Sequence, residues 1–144
     1  MLDRDMTPRN PVTALRKPPL GSGFGDAVEN RRVEKAAVNA VIRHYVAQGW
    51  QVETKELEQQ GYDLLCRRRS AVHHEEVKGI RGSICSFVIT ANEKAIAEVD
   101  YAFRLVAVTN ALDPKGRRLR HFTGPEMLDS FEMSAISFVA KPRN

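Results

Sequence analysis

Asp63, Glu76 and Lys78 are ionisable residues within two short segments, 61–66 and 74–79, that otherwise favour β-strands. Carboxylates are hard oxygen ligands of the kind that Mg²⁺ and Mn²⁺ prefer, and these ions also bridge to phosphate oxygens. A lysine ammonium beside them can orient or help deprotonate a bound water, or neutralise charge that develops on a phosphate. Together, the three residue types predict metal-assisted chemistry at a phosphate group.

The spacing of these residues predicts how they meet. If the two segments form a hairpin that turns at Arg69 and Ser70, residues whose numbers sum to 139 face each other, and Asp63 faces Glu76. Directly opposed residues have Cβ atoms about 4.5–5.5 Å apart, so one carboxylate takes up a proton unless a cation lies between the two. Because side chains alternate along a strand, Glu76 and Lys78 share one face.

A helix is predicted before these strands. It covers 27–48, has capping-box spacing at its start and is followed by Gly49. At about 100° per residue, Glu34 falls in the middle of the apolar stripe formed by Val38, Val41 and Tyr45. Glu is seldom buried without a partner, so this position predicts that Glu34 points at the sheet towards a compensating group. The alternative is that Glu34 turns to solvent or pairs with Arg31.

Later segments predict the rest of the sheet and two more helices. Trp50 opens a first strand as a core anchor, and Thr90 has capping-box spacing with Glu93. Thr90, Asn92 and the amides of that helix N-terminus are candidates for holding a phosphate, although both residues also suit a purely capping role. The predicted strands are 50–54, 85–89, 103–109, 118–122 and 134–141, and the predicted helices are 90–100 and 124–131.

The resulting order, α-β-β-β-α-β, predicts an α/β fold. Hairpins rather than strict strand–helix alternation favour a mixed β-sheet flanked by helices, extended by a C-terminal hairpin, helix and strand. A single domain over 26–144 is large enough to bury a core. Residues 1–25 combine proline, glycine and arginine, which predicts a flexible basic arm, either a contact for nucleic acid or a disordered leader.

Composition constrains the partners. The chain has 22 Lys and Arg residues against 18 Asp and Glu residues, and the net charge of +4 is compatible with a polyanion. The run Arg67, Arg68 and Arg69 is a candidate contact for DNA phosphates or a solvated turn. Two cysteines without C-x-x-C spacing argue against a zinc site and favour a reducing, cytoplasmic setting. The sequence contains no signal for membrane insertion.

The ordered set of residues resembles a known family. Asp63, followed thirteen positions later by Glu76-Val77-Lys78, resembles the D…(D/E)-x-K signature of the restriction-endonuclease-like nucleases. The longer pattern over about 30–110 is similar to the NO VEIN C-terminal domain family. Its parts are a helix carrying a Glu, Gly49-Trp50, Gly61-Tyr62-Asp63, Glu76-Val77-Lys78-Gly79, Thr90-Ala91-Asn92-Glu93 and an apolar strand.

This resemblance implies a restriction-endonuclease-like core and a nuclease that depends on Mg²⁺ or Mn²⁺, with DNA favoured over RNA. Asp63 and Glu76 would hold the metal, and Lys78 would position the attacking water. Val77 would lend its carbonyl oxygen, and Glu34 would be an auxiliary ligand. Such domains are often attached to helicases and DNA-restriction machinery, so association with a helicase or restriction partner is expected. A homodimer is also expected, because dimerisation is common among the resembling nucleases, in which cutting both strands takes two active sites.

Two other functions fit the same residues. One is a nuclease-like binding module that does not cleave and belongs to a larger assembly; the small size favours it, whereas the intact Asp63, Glu76 and Lys78 count against it. The other is a structural acid–lysine network. A thermal stability that Mg²⁺ and Mn²⁺ leave unchanged would favour this last function.

Overall fold

The computed structural model describes residues 26–55, 61–136 and 140–143. Their elements are α1 (Ala27–Ala47), β1 (Gln51–Thr54), β2 (Leu64–Arg68), β3 (Ala71–Gly79), α2 (Ala91–Val99), β4 (Phe103–Thr109), β5 (Arg118–Thr123) and α3 (Gly124–Ser130). This order confirms the predicted α-β-β-β-α-β core and the hairpin and helix that follow it. The basic arm predicted over 1–25 lies outside the described residues.

The five strands form one mixed sheet in the order β1-β2-β3-β4-β5. β3 and β4 are parallel and are connected through α2, whereas the other neighbouring strands are antiparallel. At the turn between β2 and β3, Arg69 adopts a φ of 57°. Leu64 pairs with Glu75 and Arg68 pairs with Ala71. The predicted hairpin register, in which paired residue numbers sum to 139, is therefore confirmed over β2.

The long helix α1 covers one face of the sheet. Asp26 caps its first turn, and Gly49, with a φ of 86°, follows its end as predicted. Its buried stripe consists of Val33, Ala37, Ala40, Val41 and Tyr45. Except for Ala40, this stripe packs in one cluster with Trp50 and with strand residues that include Leu64, Cys66, Val77, Val106 and Val108. Trp50 is buried within that cluster, so its predicted role as a core anchor is confirmed.

The shorter helices α2 and α3 lie on the other face. Thr90 and Thr123 cap them, each within a complete capping box. Gly124, the first residue of α3, lies so close to α2 that a Cβ there would overlap the Ala97 carbonyl oxygen. The buried cluster on this face consists of Ala97, Phe103, Leu105, Ala107, Phe122 and Met127.

One predicted strand is wrong, and another is not found where the structure describes it. Residues 85–89 form no strand, although Cys85, Phe87 and Ile89 pack against the cluster beneath α2 and α3. Alternating apolar residues indicate that every second side chain is buried, but they do not show that the segment pairs with a strand. In this segment a loop buries them without pairing. The strand predicted over 134–141 is also not found in its described parts, 134–136 and 140–141, which are exposed and irregular.

Candidate active site on the hairpin

Asp63 is fixed against β3 by hydrogen bonds from its backbone and its side chain. It is the residue before β2, and its backbone N–H donates to the Glu75 carbonyl oxygen at 2.8 Å. Its Oδ2 accepts the backbone N–H of Val77, also at 2.8 Å. The carboxylate therefore crosses the hairpin to the strand that carries Glu76 and Lys78.

Glu76 is a buried carboxyl group beside other carboxyl groups. Its exposed fraction is only 5%. Burial raises the pKa of Glu76 to about 8, Asp63 and Glu93 add to the increase, and Lys78 opposes it. The repulsion that the hairpin register predicts between Asp63 and Glu76 is therefore present, and Glu76 is the group that holds a proton near neutral pH.

Lys78 lies between two carboxyl groups. Its Nζ is 3.3 Å from Glu76 Oε2 and 2.8 Å from Glu93 Oε1. Burial alone would lower the pKa of Lys78, but the two glutamates outweigh burial and raise the pKa. Lys78 is consequently held in the site as a cation.

Glu93 belongs to the site, although its spacing predicted only a helix cap. Its Oε1 accepts the backbone N–H of Thr90 at 3.1 Å, and its own N–H donates to the Thr90 hydroxyl at 3.0 Å. The same Oε1 contacts Lys78. Burial acts to raise the pKa of Glu93, but Lys78 and the Thr90 amide outweigh it and lower the pKa. This role was not predicted from the sequence, because the capping box explains Glu93 without any partner outside α2.

His74 lies on the same face as Glu76, at the opposite end of α2 from Glu93. Its Nδ1 is 2.7 Å from Asp100 Oδ2, and its ring stacks on Tyr62 with centroids 4.3 Å apart and planes 5° apart. Asp100 is the C-cap of α2, and its Oδ1 accepts the Ala102 N–H at 2.9 Å. The shared face of His74 and Glu76 was predictable from strand alternation, but the contact with Asp100 was not.

Glu34 does not lie on the core-facing stripe, so that prediction is wrong. It is exposed, whereas Val33 and Ala37 are buried. A Cβ at Gly79 would lie 2.9 Å from the Val33 carbonyl oxygen and 3.0 Å from Ala37 Cβ, so these two residues form the line of closest contact with β3. Glu34 is turned about 100° away from Val33. The third carboxyl group beside Asp63 and Glu76 is that of Glu93 instead.

The basic turn forms a separate surface. Arg67, Arg68 and Arg69 line an open depression of about 690 Å³ together with Gln48, Gly49 and Gln51. The Arg68 guanidinium already lies over the Trp50 ring, 4.7 Å from its centroid, and donates to the Gln48 carbonyl oxygen at 3.0 Å. Along β3, Glu76 is about 20 Å from this turn. Contact between these arginines and nucleic acid stays a prediction.

Helix α2 is closely packed against the loop before Asp63, and its first residues are occupied by its cap. The Thr90 hydroxyl takes part in the capping box, and Asn92 is exposed. Gly61 has a φ of 85°, and a Cβ on it would overlap Ile96 Cδ1. Thr90 thus serves the capping role that was one of its two predicted alternatives, and binding of a phosphate by Thr90 or Asn92 stays a prediction.

A second buried glutamate, Glu75, faces α1 rather than the site. It is fully buried, and its Oε2 accepts the Tyr45 hydroxyl and lies 3.2 Å from His73 Nδ1. Its Oε1 has no hydrogen-bond partner within the part of the chain that the structure describes. Burial and Glu75 both raise the pKa of Tyr45. Because strand residues alternate, these consecutive glutamates belong to different faces, and only Glu76 was predicted as a site residue.

Comparison with known families places the chain. The family model described as Protein NO VEIN, C-terminal, matches residues 33–122, a span that includes Asp63, Glu76, Lys78 and Glu93. The match covers more than half of the chain, which therefore belongs to the NO VEIN C-terminal family, as the resemblance indicates. No curated protein and no solved structure matches the chain. Among the described helices, none is both long enough and apolar enough to cross a membrane.

Proposed function

We propose that the chain is a metal-dependent nuclease that hydrolyses phosphodiester bonds, in DNA rather than RNA. The observation that carries the proposal is the cluster of Asp63, Glu76 and Lys78, in which burial and Asp63 raise the pKa of Glu76 to about 8. A carboxyl group perturbed by burial and by a specific charged neighbour is typical of functional sites. Two oxygen donors and a cation on one face suit a phosphate substrate.

The donor set fits Mg²⁺ or Mn²⁺ with help from the substrate. Within the described ranges, no three His, Cys, Asp or Glu side chains are grouped closely enough to hold a metal ion. Mg²⁺, however, is usually bound through one or two carboxylates, with waters and substrate phosphates as its other ligands. Asp63 and Glu76 supply two carboxyl groups, and a cation between them would relieve the repulsion that helps to raise the pKa of Glu76. The Val77 carbonyl oxygen is the further ligand that we propose.

Each residue of the site then has a defined task. When bound, the ion would lower the pKa of a water molecule and offset negative charge on the phosphate. Glu76 must lose its proton before it acts as a ligand, whereas the Val77 N–H keeps the Asp63 carboxylate in place. Because its two glutamates raise the pKa of Lys78, this residue suits attraction of a phosphate oxygen better than acceptance of a proton from water.

A binding module without cleavage stays the second candidate, and the contacts of Lys78 favour the third, a structural acid–lysine network. The Lys78 ammonium is satisfied by Glu76 and Glu93 in the structure as it stands. The cluster is therefore also self-consistent as an acid–lysine network. In either of these cases, the site needs no divalent ion.

Cleavage assays separate the candidates. Plasmid, linear duplex and single-stranded DNA are incubated with Mg²⁺ or Mn²⁺ and the wild type, Asp63→Ala or Lys78→Ala. We expect metal-dependent cutting by the wild type that both substitutions abolish. Binding of DNA without cutting under any metal would instead support the binding module. Neither binding nor cutting, with a melting temperature that the metals leave unchanged, would support the structural network.

A further inference from the structure

Helix α2 lies alongside the part of β3 that carries the site, and it contacts this part at both ends. Lys78 meets Glu93 in the first turn of α2, and His74 meets Asp100 at its C-cap. The five residues 74–78 of a strand and the ten residues 91–100 of a helix each span about 13 Å, so the two elements run antiparallel over the same length. Glu76 lies between the two contacts.

At the His74 end, the imidazole is held in one orientation. The Nδ1 atom of His74 and the Oδ2 atom of Asp100 are 2.7 Å apart and share a hydrogen bond. The His74 backbone N–H also donates to the Ala102 carbonyl oxygen at 2.8 Å. One ring face is stacked on Tyr62. Within the described part of the chain, Nε2 makes no hydrogen bond to protein, so it is the polar atom left to meet a ligand.

Tyr101 lies between the two residues that hold His74. Asp100 binds the His74 side chain, Ala102 binds its backbone, and the Tyr101 side chain between them is 99% exposed. The neighbouring Val99 is 78% exposed. An aromatic ring that is fully in solvent contributes no packing to the fold. The Tyr101 backbone lies between the two residues that contact His74, so an exposed aromatic side chain leaves the chain at the end of the site where His74 stacks on Tyr62.

We propose that Tyr101 and the Tyr62–His74 pair form a subsite for an unpaired nucleotide adjoining the Asp63, Glu76 and Lys78 cluster. Aromatic faces stack on any base once it is unpaired, and bases inside a duplex do not offer that face. The Nε2 atom of His74 adds one polar contact for the sugar or phosphate. This inference rests on the proposed function and defines its substrate class as single-stranded nucleic acid, including unpaired ends of duplexes.

The test measures equilibrium binding in metal-free buffer, where cutting does not interfere. Fluorescence anisotropy compares a labelled single strand with a duplex of the same sequence for the wild type, Tyr101→Ala and Tyr101→Trp. Val46→Ala, which shortens an exposed side chain on α1, is the control. Because the Tyr101 ring is solvent-exposed, Tyr101→Ala is expected to keep the wild-type melting temperature, so a change in affinity reports binding rather than unfolding.

We expect Tyr101→Ala to weaken single-strand binding by roughly 5- to 150-fold, the usual effect of losing one stacked base, with little change for the duplex. Tyr101→Trp should restore the affinity, and Val46→Ala should leave it unchanged. Equal single-strand affinity of the wild type and Tyr101→Ala, or no binding by the wild type, would overturn the subsite.

Cleavage assays keep the two proposals distinguishable. Tyr101-dependent binding by a wild type that does not cut under any metal would keep the subsite and reject the nuclease. If the wild type cuts DNA but Tyr101→Ala binds single strands as tightly as the wild type does, the subsite is rejected and the nuclease is kept.

Discussion

Lys78 depends on a residue of the helix opposite its own strand. Glu93 holds the Lys78 ammonium at 2.8 Å, and the same carboxylate oxygen completes the capping box of α2. The start of α2 and the position of Lys78 are thus coupled through one atom. A substitution that removes the charge but keeps the cap separates these two functions.

Glu93→Gln is that substitution, because Gln also serves at the third position of a capping box. We expect α2 to keep its cap and cleavage to fall by roughly 10- to 100-fold, the usual effect of losing a residue that orients an active group. The matched control is Glu126→Gln, which alters the same position in the capping box of α3. Equal cleavage rates for the two variants would contradict the role of Glu93.

Glu76 predicts how stability depends on pH. Its pKa rises from 4.5 to about 8 on folding, so between these values the folded chain holds a proton that the unfolded chain has lost. The folded state binds more protons in this window, and the contribution of Glu76 to the free energy of unfolding therefore falls as pH rises from about 4.5 to 8.

Glu76→Gln removes this titration. The free energy of unfolding of the variant minus that of the wild type should be larger at pH 8 than at pH 5. Urea unfolding of both proteins at both pH values, without metal, measures this difference. The comparison of the two proteins cancels the titration of groups that they share. A difference in stability between variant and wild type that is the same at both pH values would contradict the perturbed carboxyl group.

At the scale of the elements, α2 packs against β4 and α3, and it contacts β3 through the side chains of Glu93 and of its C-cap Asp100. The contact with α3 depends on Gly124, where a Cβ would overlap the Ala97 carbonyl oxygen of α2. A backbone atom cannot move aside as a flexible side chain can, so the two helices would have to separate. Since α2 carries Glu93, Asp100 and Ile96, this separation would reach the site.

Gly124→Ala should accordingly lower the free energy of unfolding by about 1–3 kcal/mol, the usual cost of overpacking. The control is Gly82→Ala, because a Cβ at Gly82 would meet no atom within 4 Å. Urea unfolding of both variants measures the difference. Similar stabilities would show that the contact between α2 and α3 is looser than the structure indicates.

The elements nearest to the site were largely predictable from sequence. A short turn at Arg69 determines the hairpin register, and the register places Asp63 opposite the strand of Glu76. Capping residues located the starts of α1 and α2 for the same reason, because each signal acts over four residues or fewer. Such local signals do not depend on how the chain packs.

Predictions that depended on packing were less successful. Glu34 was predicted on the buried stripe because periodicity gives the spacing of a stripe but not which residue contacts the sheet. In the structure, Val33 is the residue that contacts β3, at Gly79. The contact of His74 with Asp100 joins residues 26 positions apart through a parallel crossover. No local pattern in the sequence reports such a contact.

At the scale of the whole molecule, the sheet separates two buried acidic groups. On the α1 face, Glu75 accepts a hydrogen bond from the Tyr45 hydroxyl and is fully buried in the core. On the α2 face, Glu76 lies with Asp63, Lys78 and Glu93. One strand therefore supplies a structural carboxyl group to one layer and a proposed reactive one to the other.

The most direct measurement of the central claim is the rate of DNA cleavage by the wild type and Asp63→Ala, titrated side by side with Mg²⁺ and with Mn²⁺. We expect the wild type to cut only when a divalent ion is present and Asp63→Ala to show no cutting at any ion concentration. Cutting by Asp63→Ala at the wild-type rate, or no cutting by the wild type with either ion, would contradict the claim.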